Sequence, residues 1–286
     1  MRWLVTGAHG LIGRHLCARL GGEVTGIGHR ELPLSDTKGL RRLVARVRPQ
    51  CIVHLAGALH GASEAELVAT NVVGTLSLMQ AAAGSGARVV VASSGAVYGA
   101  PTALPIRESH ACNPVDLYGV TKLAAEHLAR IEAARGGLGL VVARIFNVVG
   151  PGQGEDHVCG RLAAQLARGP RVIEVGTLDA TRDFIDVRDV ASALVVLGER
   201  GRGTYNVGSG RETPVGEVLA ELVRISGVSV DVRTRHDTPR GVGRHVADVS
   251  RLSELGFVPA FPLSRSLRDL YADCRQRIRP RFRTPG

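Results

Sequence analysis

The chain has 286 residues, 44% of them hydrophobic, which suits one large α/β domain or a nucleotide-binding domain with a smaller one appended. Its formal charge of +10 invites nucleic acid, but the arginines are dispersed and only 3% of residues are aromatic, so little is available to stack on bases and no nucleic-acid partner is expected. No stretch approaches the ~20 apolar residues of a membrane span, and glycines interrupt the N-terminus before a signal core could form; no membrane partner and a cytoplasmic location are expected.

The first predicted strand, 2–6 (RWLVT), runs into VTGAHGLIG and a helix near 11–20. Gly7, Gly10 and Gly13 stand at G-x-x-G-x-x-G spacing between that strand and helix. There glycine permits a tight turn and the helix N-terminus offers free N–H groups to a pyrophosphate. Gly7, His9, Gly10, Leu11, Ile12 and Gly13 are therefore candidate cofactor contacts. The second strand, 23–27, ends in GIGHR. The place where dinucleotide folds commonly carry an acid for the ribose hydroxyls is Gly28, followed by His29 and Arg30. A missing carboxylate beside a guanidinium favours NADP(H), with NAD(H) still usable, and Arg14 could add a second contact. Arginine is also this chain's habitual surface cation, since of its 36 Lys and Arg only Lys38 and Lys122 are lysine.

A helix near 36–47 follows, with Asp36 as its N-cap. Then come a strand at 51–55, a helix at 63–83 opened by Ser63 and Glu66 in capping-box spacing, a strand at 88–93, a helix at 117–135 and a strand at 139–146. Continuous apolar strands alternating with helices predict a doubly wound parallel sheet (Rossmann) with a smaller C-terminal α/β domain. The boundary is placed near 150, giving a dinucleotide-binding domain at 1–150 and a substrate domain at 151–286, with 183–208 crossing back to the first. The second part carries a helix near 156–168, a strand RVIEV and a helix from Pro214. Five scattered cysteines and the absence of H-E-x-x-H predict free thiols and no metal site.

Tyr118 and Lys122 lie i and i+4 near the start of a helix and share a face. A free tyrosine, with a pKa of about 10, is a poor proton carrier at neutral pH unless a nearby cation favours its phenolate. A lysine placed there by a chain that otherwise writes arginine suggests a chemical need. The preceding strand ends in VASSGAVYG, where Ser94, or Ser93, can hydrogen-bond a substrate oxygen beside the tyrosine. Such a trio would polarise a carbonyl, or take the proton of an alcohol, while hydride moves to or from a nicotinamide.

With TGAHGLIG, HLAG (54–57), TNVVGT (70–75), SSGAVYG (93–99), YGVTK (118–122), RIFNVVGPGQ (144–153), RDFIDVRDVA (182–191) and YNVGSG (205–210), the chain resembles the extended short-chain dehydrogenase/reductase family, which acts on nucleotide-linked sugars. The second half is most similar to GDP-4-keto-6-deoxymannose reductases and related nucleotide-sugar 4-ketoreductases. The resemblance implies a catalytic trio of Ser94, Tyr118 and Lys122, with Tyr118 as general acid/base and Lys122 both lowering its pKa and holding the nicotinamide ribose. It also places Leu55, Ala56, Gly57 and Asn71 beside the cofactor, and it assigns Asn147, Arg182 and Arg240, with Ser94, to a nucleotide-diphosphate sugar. It further implies a homodimer formed through the helices at 63–83 and 117–135.

Departures from the family sort the reactions. Sugar-nucleotide 4,6-dehydratases carry Asp-Glu where this chain has Gly95 and Ala96, so the carboxyl pair for dehydration is absent. Pro33 stands where relatives often hold adenine with Asp, and Leu117 where many have proline. An NADPH-dependent reductase of a nucleotide-linked 4-keto-6-deoxy sugar is expected. The alternatives are a 4-epimerase with retained NAD and, remotely, a non-catalytic dinucleotide sensor, which would not need the tyrosine and lysine pair.

Overall fold

The computed structural model describes residues 1–234 and 242–278. Strand β1 (Arg2–Thr6) leads through the glycine loop into α1 (Leu11–Arg19), followed by β2 (Glu23–Ile27), α2 (Thr37–Val47) and β3 (Cys51–His54). A short α3 (Glu64–Leu67), a π-helical stretch over Val68–Gly74 and α4 (Thr75–Ala82) come next, then β4 (Arg88–Ser94), α5 (Leu117–Gly136) and β5 (Gly139–Ile145). After these run β6 (Asn147–Val149), α6 (Val158–Ala167), β7 (Val172–Val175), β8 (Thr181–Asp186), α7 (Val187–Arg200) and β9 (Gly203–Val207). The chain closes with β10 (Glu212–Pro214), α8 (Val215–Ser226), β11 (Asp231–Thr234), α9 (Ser250–Glu254) and α10 (Leu263–Ile278).

Six strands form a parallel sheet in the order β2-β1-β3-β4-β5-β9. Its inner strands are apolar on both sides because both faces are covered, while the edge strand β2 (EVTGI) is only partly buried. Trp3, Val5, Val53 and Val90 pack towards Leu16 of α1 and Leu194 of α7, while Leu4, Ile52, Val89 and Val91 meet Leu40 of α2, Leu78 of α4 and Ala129 of α5. Gly198 lets α7 lie on the indole of Trp3, since a Cβ there would stand 2.5 Å from it. Strand order reverses between β1 and β3, and such a switch point opens a crevice at the carboxyl ends of the strands. Both β1 and β3 end there.

The remaining elements build a second core. A three-stranded sheet, β10-β8-β6, and a parallel pair, β11-β7, pack with α6, α8 and α10 around Leu162, Leu166, Phe184, Leu219, Leu222 and Leu270. The chain crosses between the cores more than once, because α7 lies on the first sheet and β9 is its edge strand. At the seam the Asp189 carboxylate accepts the N–H groups of Ala260 and Phe261 at 2.9 and 3.0 Å. Arg188 pairs with Asp186 and Asp269 and stacks its guanidinium 3.8 Å over the Phe261 ring.

Two local features differ from the sequence expectation. The helix expected over 63–83 is divided by the π-helical stretch, where the Thr75 hydroxyl donates back to the Asn71 carbonyl at 2.6 Å and Asn71 turns inward. Strand β8 also forms from TRDFID, whose polar first half hides its extended character until β6 and β10 flank it.

Candidate active site

Gly7 holds a positive φ of 67°, and a Cβ on it would lie 2.6 Å from Ala56 N, so the loop after β1 closes onto the segment after β3 only as glycine. A Cβ on Gly13 would meet the Gly7 carbonyl at 2.2 Å. Gly10 is the N-cap of α1 and offers no side chain, which leaves the first-turn N–H groups of Leu11 and Ile12 open to an anion. Beside this cradle Leu55 N donates to the Thr6 carbonyl and Ala56 N to the Thr6 hydroxyl. Gly57 is exposed, and a Cβ there would stand 3.2 Å from Lys122 Nζ. The free N–H groups and bare backbone of this loop suit a pyrophosphate, and Lys122 lies at its edge beside Gly57.

Asn71 sits differently from an open contact. It is buried, its Oδ1 accepts Ala58 N at 2.8 Å, and its Nδ2 donates to the Ala58 carbonyl and the Thr121 hydroxyl, both at 3.1 Å. It ties the loop after β3 to α5. His54, held between the hydroxyls of Thr6 and Thr75, is kept neutral, with burial and the nearby Lys122 pushing its pKa down to about 3.

The catalytic candidates meet where β4 ends and α5 begins. Asp116 caps α5 by accepting Gly119 N at 2.7 Å, which fixes the first turn and with it Tyr118. Burial raises the Tyr118 pKa, a hydrogen bond with Ser94 lowers it, and Asp116 raises it. The net direction is upward, opposite to what the lysine was expected to do. The reason is geometric: Lys122 Nζ donates to the Ala92 carbonyl at 2.8 Å, and burial brings its own pKa down to about 8 against the pull of Glu126. Ser94 is thus the side chain that favours the phenolate, while Ser93 turns away to Glu126.

Substrate candidates gather on β6 and β8. Asn147 Nδ2 donates to the Asp183 carbonyl at 3.3 Å. Arg182 donates to the carbonyls of Thr181 and Gly243 and has no carboxylate partner among the described residues, and burial lowers its pKa. A half-buried guanidinium without a counter-ion suits a phosphate. Arg240 lies outside the described residues. His29 and Arg30 are exposed on the turn after β2. Arg14 Nη1 lies 3.4 Å from the His9 carbonyl.

Residues 3–208 match the NAD dependent epimerase/dehydratase family. The chain belongs to this family. Among its members it is 36% identical to the GDP-6-deoxy-D-mannose reductase of Pseudomonas aeruginosa over 97% of this chain and 98% of that one. It is 32% identical to the dTDP-6-deoxy-L-talose 4-dehydrogenase (NAD(P)(+)) of Kitasatospora kifunensis over 94% of each. The solved structure of RMD from Pseudomonas aeruginosa complexed with NADPH superimposes with a TM-score of 0.88 at 32% identity, covering 97% of this chain and all of that one. Both coverages span the two cores, so the epimerase/dehydratase architecture extends through the whole chain.

Four residues of the site escaped the sequence reading. Glu31 brings a carboxylate back to Gly28, the position that looked free of acid. His60, for which the sequence holds no signal, lays its ring 4.2 Å from that of Tyr118 and its Nε2 3.3 Å from Asp116. Glu126, two turns beyond Tyr118 on the same face of α5, is buried against Ser93, Arg130 and Arg144; the i, i+4, i+8 spacing was a signal within reach. His245 is buried against Phe146, and its Cε1 would be 2.8 Å from a Cβ on Gly95. It is kept neutral, with burial and nearby Arg182 bringing it down to about 4 against a hydrogen bond to the Gly95 backbone that pulls upward. Among the described residues no three His, Cys, Asp or Glu side chains converge on a metal site.

Proposed function

We propose that this family member is an NADPH-dependent reductase of a nucleotide-linked 4-keto-6-deoxy sugar. The observation that carries the reading is that Ser94, Tyr118 and Lys122 come together where β4 ends and α5 begins, beside a Gly95 that is backed by His245 and Phe146. No carboxylate fits at Gly95 without displacing the imidazole, so the site has proton chemistry for a carbonyl but none of the acid pair for removing water. The likeness to the reductase of Pseudomonas aeruginosa, with its NADPH complex, supports both the reaction class and the cofactor.

The residues take these roles in the proposal. The backbone from Gly7 to Gly13 holds the pyrophosphate and Lys122 the nicotinamide ribose. The bound nicotinamide supplies the hydride. Tyr118 donates its phenolic proton to the keto oxygen and Ser94 orients that oxygen, so that C=O becomes CH–OH with one hydride and one proton gained. Arg182 and Asn147 hold the diphosphate. Exposed Val68, Val73, Val120 and Ile131 form an apolar surface on the helices expected to pair two copies, which supports a homodimer.

Tyr118→Phe is expected to lower turnover of a nucleotide-linked 4-keto sugar by about 10²–10⁴-fold, the usual worth of a positioned general acid. NADPH affinity should stay within about twofold, and unchanged turnover overturns the assignment. The second reading, a 4-epimerase, is favoured by one observation, the Glu31 carboxylate at Gly28, since an acid there suits NAD. Protein that purifies with NAD bound and interconverts 4-epimers without added NADPH would decide for it.

A further inference from the structure

Two fastenings bring the loop after β3 onto the start of α5. Asn71 holds Ala58 and donates to the hydroxyl of Thr121, which itself donates to the Tyr118 carbonyl at 2.9 Å. Two residues further along the loop, His60 Nε2 stands 3.3 Å from Asp116 Oδ2, while the other oxygen of that carboxylate caps α5 through Gly119 N. Gly61 then turns the chain away at a φ of 96°, a conformation that favours glycine. Held in this way, the imidazole lies with its ring centroid 4.2 Å from that of Tyr118, the two planes inclined at 50°. The hydroxyl of the same phenol meets Ser94, so Tyr118 is held at its tip by β4 and on its face by the loop. The His60 side chain is 55% exposed, and the core does not need it for packing.

We propose that His60 is a positioning residue for Tyr118, its ring covering one face of the phenol and keeping the hydroxyl on Ser94 while Asp116 keeps the imidazole in place. The packing stands by itself, and its consequence for turnover rests on the reductase reading. A tyrosine side chain swings about its χ torsions unless neighbours confine it, and an acid displaced by about 1 Å can lose ~10²-fold in rate. A flat ring confines the phenol, whereas a side chain of similar reach without a ring does not. The same cover keeps water from the phenol, and burial is the main cause that raises its pKa; of the other groups that act on it, Ser94 of β4 lowers the value and Asp116 of α5 raises it. Lys122, one turn along α5, donates to the Ala92 carbonyl instead. His157, the N-cap of α6, is the next imidazole within electrostatic reach of His60: burial lowers its pKa, Asp156 raises it, and His60 and Arg161 lower it further. His60 thus serves the site from the loop, with none of its own atoms on the reacting carbonyl.

The test compares full-length wild type with His60→Ala, His60→Gln and His60→Phe by two readouts. The first is turnover of GDP-4-keto-6-deoxymannose with NADPH. His60→Ala should lower kcat by about 10–100-fold while KM stays within about threefold, since the acid is displaced and the substrate is not. His60→Phe, which keeps a ring and loses the bond to Asp116, should recover most of the loss, and His60→Gln, which keeps a polar group and loses the ring, should not. The second readout is phenolate absorbance through the alkaline range, each protein measured against the same protein carrying Tyr118→Phe, and it needs no substrate. In His60→Ala the Tyr118 phenolate should appear at lower pH than in wild type, because water reaches the phenol; in His60→Phe it should stay near the wild-type position. A phenolate that does not move in His60→Ala overturns the proposal. So does rescue by Gln as complete as that by Phe, which would give the role to the Asp116 contact, and so does a raised KM with kcat unchanged, which would make His60 a substrate contact. The expected phenolate shifts in a protein whose wild type reduces no keto sugar uphold the positioning of Tyr118 and overturn only the reductase reading.

Discussion

Lys122 carries a charge at a place that water does not reach freely, which brings its pKa down to about 8. Its Nζ is answered by one carbonyl, that of Ala92, and by a Glu126 already committed to two arginines. A lysine depressed in this way weighs on the fold. Between about 8 and its ordinary value the unfolded chain still binds the proton that the folded chain has released, so stability rises with pH across that window. Below 8 both states are protonated and the folded state bears the full penalty. Lys122→Met should therefore raise the melting temperature near neutral pH, by the equivalent of ~1–3 kcal/mol, while removing activity. The difference from wild type should shrink as pH is raised from 7 to 10 in paired thermal melts. A variant that melts below wild type at pH 7 would show that Lys122 serves the fold more than the chemistry.

On the element scale, α5 does two jobs along one face: Tyr118 and Lys122 point into the site, and Glu126 anchors the helix to the sheet. Burial pushes the Glu126 carboxyl up, but Arg144, Ser93 and Arg130 together hold it below the usual range. Glu126→Ala leaves the buried Arg144 without its partner and is expected to cost about 3–5 kcal/mol, read from urea unfolding at neutral pH. Because the folded pKa is lowered, this contribution is present above the ordinary carboxylate value and fades as pH falls through the lowered one. The gap between variant and wild type should narrow in acid. A loss below about 1 kcal/mol would mean that the network carries little of the helix's docking. Elements of this kind were readable to different depths. The strands β1, β3, β4 and β5 show in the sequence because burial on both faces demands apolar runs. By contrast, β8 is flanked by other strands only after the chain has crossed over, so TRDFID displays no such run. Glu31 and His60 were hidden for a related reason, since their roles come from a turn and a ring contact made in three dimensions. Ser94, Tyr118 and Lys122 were legible because fixed spacings on a strand end and a helix face already determine what they can share.

For the whole molecule, the distribution of apolar surface bears on assembly. Most of this arginine-rich chain presents charge, yet Leu117, Val120 and Ile131 lie exposed on one stripe of α5, turned away from the face that holds Tyr118, Lys122 and Glu126. The π-helical stretch packs against α5 and exposes Val68 and Val73 beside it. Exposed apolar side chains on two packed elements suit a self-complementary contact between two copies. Dimerisation there would also back α5 from outside, because pairing covers the side opposite Tyr118, Lys122 and Glu126. Val73→Arg combined with Ile131→Arg should convert a dimer into a monomer in sedimentation velocity, since each charge would have to be buried unpaired against its symmetry mate. The monomer should retain NADPH binding, as neither side chain reaches the glycine loop. A double variant that still sediments as a dimer would move the interface elsewhere, and a monomeric wild type at assay concentrations would leave this face to another partner.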